Sequence, residues 1–256
     1  MISVHDASIF GEILRKISQH SSLVRIEKTK DKLIISSLST DELSFASVIF
    51  NKPFFKEWDG RTQSSLDIES RTLYDVSRVI GAKSNVMLSL FSRRLQFEIK
   101  DLSYKKITIT GSMRESDTLI PLKKGKPSTK LRIKAKDFRS VITELSSLLD
   151  EVQLLLKKNS NGMVFLGKRT GMFMEMYLHE ISSCVIQNDI SIEFPIKFFQ
   201  HFLPLLCHFE ELLLTFTPTM PLKIEACNEK WKLVLMVSKI EKPSEKMGVT
   251  EDIASN

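Results

Sequence analysis

"VMLSLFSRRLQFEI" (Val86–Ile99) and "LLLTFTPTMPLKIEA" (Leu212–Ala226) have one form: an apolar run ending in Phe, a polar break, then an alternating strand. Ser89-Leu90-Phe91 lies 125 residues ahead of Leu214-Thr215-Phe216, nearly half of a 256-residue chain. That spacing points to an internal duplication, which decides the fold if other elements keep it.

Working outward from the first copy, Ile2–Val4 reads as a strand. "ASIFGEILRKISQ" places Ile9, Phe10, Ile13, Leu14 and Ile17 at helical spacing. Leu23–Glu27, Leu33–Ser37 and Phe45–Phe50 read as strands, and Leu66–Ile68 as a short extended piece. "SRTLYDVSRVIGAK" predicts a second helix, with Ser70 as N-cap, Leu73, Val76 and Ile80 inward and Gly81 as the stop. Strands Val86–Phe91, Leu95–Lys100 and Lys106–Thr110 follow. The second copy runs from Leu131–Ile133 through a helix in "KDFRSVITELSSLL", with Phe138, Val141, Ile142 and Leu145 on one face. Strands Val152–Leu156, Met163–Leu166 and Phe173–Leu178 come next, then extended Ile190–Phe194. "PIKFFQHFLPLLCHF" gives a helix that Pro195 starts and Pro204 kinks or ends. Leu212–Phe216, Leu222–Ala226 and Leu233–Val237 close the copy. Ser65 and Ser191 are 126 apart and Phe10 and Phe138 are 128 apart, so several elements hold one spacing.

The expectation is an α+β chain of two similar domains, each with two helices on antiparallel sheets. The domains are 1–113 and 131–241, joined by a linker at 114–130 and followed by a short disordered tail at 242–256. The linker holds Pro121, Gly125 and Pro127 among lysines, and its Leu119, Ile120 and Leu122 suit the wall of a groove. With 42% hydrophobic residues, each half has enough apolar side chains for its own core. No apolar run approaches the roughly 18 residues of a membrane span, and the N-terminus lacks the basic and apolar regions of a signal peptide. Cys184, Cys207 and Cys227 lie in apolar segments and read as buried thiols of a reducing compartment. The net charge of +6 is compatible with a polyanionic partner, and equally with a solvated lysine-rich surface.

Motifs for catalysis are missing or misplaced. "GMVFLGKRT" (Gly162–Thr170) has two glycines five apart and then Lys168, but Arg169 stands where a P-loop needs a hydroxyl, and no helix follows. A hairpin with Gly162, Gly167 and Gly171 at its turns is the better reading. His201 and His208, seven apart, have no companion Cys or acidic pair to close a metal site. No cofactor and no enzymatic activity are expected.

The duplicated architecture resembles the DNA sliding-clamp superfamily from Met1 to about Glu241, more in pattern than in identity. "SSLSTDELSFASVIF" (Ser36–Phe50) is similar to the strand, loop and strand that shape the partner-peptide groove of proliferating cell nuclear antigen. "VSKIE" (Val237–Glu241) is similar to the C-terminal strand of that clamp and its exit. "FNKPFFKEW" (Phe50–Trp58), "MEMYLHE" (Met174–Glu180) and "IEFPIKFFQHFL" (Ile192–Leu203) most resemble the tail-bearing, Rad-nine-type subunit of the nine-one-one checkpoint clamp. After Glu241 the sequence continues only as "KPSEKMGVTEDIASN", short for that family's regulatory tail.

The resemblance implies a heterotrimeric ring around double-stranded DNA, bound without regard to sequence, with two other clamp subunits. It also implies a clamp loader, repair and checkpoint proteins as partners, a nuclear location and no membrane. The helices would line the pore, with Arg15, Lys16, Arg71, Arg78, Lys83, Lys136, Arg139, Lys197 and His201 facing DNA. Leu38, Glu42, Leu43, Leu119, Ile120, Leu122 and Val237 would bound a peptide groove. Subunits would pair edge strands through Lys106, Ile107 and Ile109 on one side and Phe173, Glu175 and Tyr177 on the other, each edge shaped for a different sister. Two alternatives stay open: a divergent replicative clamp forming a homotrimer, and an enzyme or interaction protein with a duplicated domain.

Overall fold

A computed structural model describes residues 1–60, 63–91, 93–112, 129–156, 162–169, 172–178, 181–184, 189–216 and 221–240. Leu119, Ile120 and Leu122, most of the expected linker, Thr170, Gly171 and the tail lie outside the described residues, as does the side chain of Cys184. The first half holds β1 (Ile2–Val4), α1 (Ala7–His20), β2 (Leu23–Lys28), β3 (Lys32–Leu38), β4 (Ser44–Asn51), β5 (Phe55–Trp58), β6 (Ser64–Glu69), α2 (Ser70–Val79), β7 (Asn85–Phe91), β8 (Arg94–Lys100) and β9 (Tyr104–Thr110). The second half holds β10 (Thr129–Lys134), α3 (Ala135–Ser146), β11 (Glu151–Leu156), β12 (Met163–Arg169), β13 (Met172–Leu178), β14 (Ile181–Cys184), β15 (Ile190–Pro195), α4 (Ile196–Leu206), β16 (Glu211–Phe216), β17 (Leu222–Cys227) and β18 (Trp231–Val237).

Element for element, the second half repeats the first. Three sheets form, in the orders β5-β1-β7-β8-β9, β13-β12-β11-β15 and β14-β10-β16-β17-β18-β4-β3-β2-β6. The long sheet is a copy of the five-stranded sheet fused to a copy of the four-stranded one, and the seam is β18 beside β4. That seam makes the buried apolar residues of both halves one cluster. The sequence predicts a core for each half, and the shared sheet merges the two.

The duplication also fixes register. In β7 the inward residues are Val86, Leu88 and Leu90, and in β16 they are Leu212, Leu214 and Phe216. The counterpart of buried Phe216 is therefore Leu90, and Phe91 is 57% exposed. Pairing Phe91 with Phe216 by sequence is one residue out, and in a strand one residue changes the face.

Helix α1 starts at Asp6, whose Oδ1 accepts the Ile9 N–H at 3.0 Å, and it buries Phe10, Ile13, Leu14 and Ile17. Ser70 is the first residue of α2 and not its cap; Glu69 holds the cap position and makes no side-chain cap bond. Pro195 occupies the cap position of α4, and Pro204 lies inside its last turn. Gly167 is inside β12, not at a turn. A Cβ there would stand 1.8 Å from Leu149 Cδ1, so the glycine makes room for a core leucine that packs against the strand. This accounts for the glycine that imitated a P-loop. Helix α1 packs on α2, α3 on α4, and α1 touches α4, so the four helices form a row in the order α2-α1-α4-α3.

Candidate nucleic-acid interface and subunit edges

Each helix gives its apolar stripe to the sheets, which leaves its polar face outward. Arg15, Arg71, Arg78 and Lys136 are exposed and have no ion-pair partner among the described residues. Lys83 is exposed just after α2, and Lys16 is half-buried. Along the row, seven Arg or Lys stand against the four carboxylates Glu12, Asp75, Asp137 and Glu144. The surface is basic without being uniformly so.

Three expected residues have other engagements. Lys197 Nζ lies 2.6 Å from Asp150 Oδ1, and that hydrogen bond holds the Asp150 carboxyl below the usual range. Arg139 is half-buried and its Nε is buried without a hydrogen-bond partner. His201 Nε2 donates to the carbonyl of Lys16 at 2.7 Å, so it ties α4 to α1. Burial pushes the pKa of His201 down, the bond to Lys16 opposes this, and the Lys16 charge adds to the lowering. A neutral, internally bonded ring is a poor phosphate contact.

The histidines mark a junction that sequence reasoning missed. His20 Nδ1 and Nε2 bond Ser37 Oγ and Ser44 Oγ at 2.7 and 3.0 Å, and its ring packs 5.3 and 5.4 Å from Phe198 and Phe202 of the other half. His208 lies 3.9 Å from Glu12 and 6.0 Å from the Trp231 ring. Their wide separation in sequence hid this, and no motif spacing could have signalled it. Among the described residues no group of His, Cys, Asp and Glu is arranged to hold a metal ion. Cys207 and Cys227 are exposed, contrary to the expected burial, because each stands at the end of its element.

The groove expectation is met unevenly. Leu38 is half-buried and Leu43 is 48% exposed. Glu42 sits between them in the left-handed region at φ 58°. The turn is tied by Asp41 Oδ1, which accepts from Leu43 N–H at 3.1 Å and from Ser39 Oγ. The Ser39 bond leads in holding the Asp41 carboxyl below its ordinary range. Val237 is fully buried and belongs to the core, so it offers no surface to a peptide. Beside Leu43 runs the backbone of Ser238, whose N–H donates to the Leu43 carbonyl at 2.7 Å.

β9 is the last strand of the five-stranded sheet and β13 the last of the four-stranded sheet. Lys106 is exposed, Ile107 half-buried and Ile109 buried; Phe173 and Tyr177 are 63% and 55% exposed, and Glu175 is exposed. By the duplication β9 corresponds to β18 and β13 to β4, the two strands joined at the internal seam.

No protein-family model matches the chain, and no curated protein sequence matches it. Solved structures do. A chain of the PCNA2-PCNA3 complex from Sulfolobus tokodaii superposes with a TM-score of 0.80 at 12% identity, over 93% of this chain and 98% of that one. Proliferating cellular nuclear antigen from Entamoeba histolytica gives 0.77 at 13% identity, over 93% and 97%. With its duplicated halves, its row of four helices and its edge strands β9 and β13, the chain has the fold of the PCNA-type sliding clamps.

Proposed function

We propose that the chain is a subunit of a ring that encircles duplex DNA and acts as a platform for other proteins, without catalysing a reaction. The observation that carries this reading is the row α2-α1-α4-α3, whose outward faces carry an excess of cations. Such a surface attracts phosphates loosely and independently of sequence, as a ring that must slide requires. The unpaired edges β9 and β13 would close the ring, and the clamp fold supports the same reading.

Within it, the resemblance of Phe50–Trp58, Met174–Glu180 and Ile192–Leu203 to the checkpoint clamp favours a role in damage signalling and repair, with a loader, repair and checkpoint partners and a nuclear location. Phe50, Phe54, Phe194 and Phe199 in these stretches are core residues, so the likeness lies partly in packing.

The test is the quadruple variant Arg15→Glu, Arg71→Glu, Arg78→Glu, Lys136→Glu. All four side chains lie off the apolar stripes, so the circular dichroism spectrum should be unchanged. Each lost phosphate contact should flatten the log–log salt dependence of duplex binding by roughly 0.9. An unchanged slope would mean that these helices do not face DNA.

A further inference from the structure

We infer that the cleft between β7 and the β2–β6 end of the long sheet binds an extended acidic peptide, added as a short strand beside Ser89–Phe91 with a carboxylate side chain turned toward Lys28. The site stands apart from the ring reading, because none of its residues lies on the helix row or on β9 or β13.

The duplication shows what is unusual at this place. β1 pairs with β7 only through Ile2 opposite Leu88 and Ser3 opposite Met87. In the second half β10 runs on past the equivalent pair, Leu131 with Leu214, and sets Lys130 opposite Thr215 and Thr129 opposite Phe216. Thr129 is buried there. Leu90 is the counterpart of Phe216, yet on its β1 side no strand residue stands opposite it among the described residues. A cleft of about 630 Å³ lies in that position, within the range of roughly 300–1,000 Å³ common to ligand pockets. Leu88 and Leu90 line it from the inward face of β7, and Ser89 and Phe91 from the other face. A cleft touched by both faces opens along the edge of the strand, where its backbone hydrogen-bonding groups point.

The opposite wall also differs from its copy. Ile35 pairs with Ile26, and its counterpart Phe165 pairs with Leu154, so Lys28 matches Leu156 two residues on. Lys28 stands opposite Ser64 and Leu156 opposite Ile190, so Ser64 matches Ile190. Where the second half has two apolar residues, the first has a lysine and a serine, and both line the cleft. Lys28 is 3% exposed and continues the inward row of Val24 and Ile26. Ser64 Oγ is buried with no hydrogen-bond partner among the described residues. An ammonium has three donors and a hydroxyl one, so the two can hold a carboxylate beside the contacts that Lys28 already makes. Asp59, the one carboxylate of the lining, lies 3.5 Å from the Met1 ammonium. The wall therefore selects an acidic ligand, and the open strand edge selects an extended one. By the register of β10, a peptide antiparallel to β7 sets one residue opposite Leu90, on the inward face with Lys28, and the preceding residue opposite Phe91, which is 57% exposed. Asp or Glu suits the first place and an aromatic residue the second.

The probe is the peptide Thr-Thr-Val-Phe-Glu, labelled with fluorescein at its amino end and amidated at the other, with a version ending in Phe-Gln as the neutral control. In fluorescence anisotropy the wild-type protein should bind the Glu peptide roughly tenfold more tightly than the Gln peptide, the worth of a charge-assisted hydrogen bond. Lys28→Met puts an apolar side chain where the second half has leucine, and it should bind the two peptides equally. On the wild type the Glu peptide should also slow amide hydrogen exchange in Ser89–Phe91, as an added strand must. Equal binding of the two peptides by the wild type, binding of neither at millimolar concentration, or binding without slowed exchange at Ser89–Phe91 would each overturn the proposal. The peptide comparison and the exchange measurement use the wild type alone, so the outcome does not depend on the folding of Lys28→Met.

Discussion

His20 is a side chain that links the two halves. It lies at the end of α1, bonds two serines of its own half and packs on two phenylalanines of the other. Burial first, then the nearby His201, push its pKa down from 6.5 to about 4, with Asp41 opposing. A histidine depressed in the folded state stabilises the fold fully above its unfolded pKa, and that contribution is lost as pH falls from 6.5 toward 4. The shift corresponds to a loss of about 3 kcal/mol in order of magnitude. Carboxylates also titrate in this window, so the measurement is the difference between wild type and His20→Gln in urea unfolding at a series of pH values. The stability advantage of the wild type should shrink as pH drops below 6.5. Parallel curves would mean that His20 carries no such linkage.

At the scale of elements, the strand β12 and its Gly167 show how packing is written into a motif that seemed chemical. Adding one methyl, Gly167→Ala, should force buried Leu149 out of its place and cost about 1–3 kcal/mol, read as a lower urea midpoint with an unchanged slope. An unchanged midpoint would mean that Leu149 moves freely. The helices, most strands and the duplication were legible because their apolar periods are long and regular, as in Phe10, Ile13, Leu14 and Ile17. β5 and β14 were not, since four-residue strands such as "FKEW" and "ISSC" show no alternation to read. Phe91 misled because sequence shows residue type and not face; only the ladder tells that Leu90 is the inward residue. Among the candidate DNA-facing residues, the exposure of Arg15, Arg71, Arg78 and Lys136 could be read from helical phase alone. The engagements of Lys197 with Asp150 and of His201 with Lys16 could not, because they depend on which elements meet.

For the whole molecule, a nine-stranded sheet welds the two halves at β18 and β4, while their counterparts β9 and β13 end their own sheets as edge strands. Under the proposed function, the basic row of helices faces a polyanion that the ring holds by linkage rather than by grip. The most direct measurement is retention of the assembled protein on closed circular and on linear duplex DNA of one sequence, washed through a salt series. Encirclement predicts that retention on linear DNA falls steeply with salt as the protein slides off the ends, while retention on circles persists until the ring itself opens. Cutting the circle with a nuclease should then release the protein at once. Equal loss from both DNA forms would contradict a ring threaded by DNA.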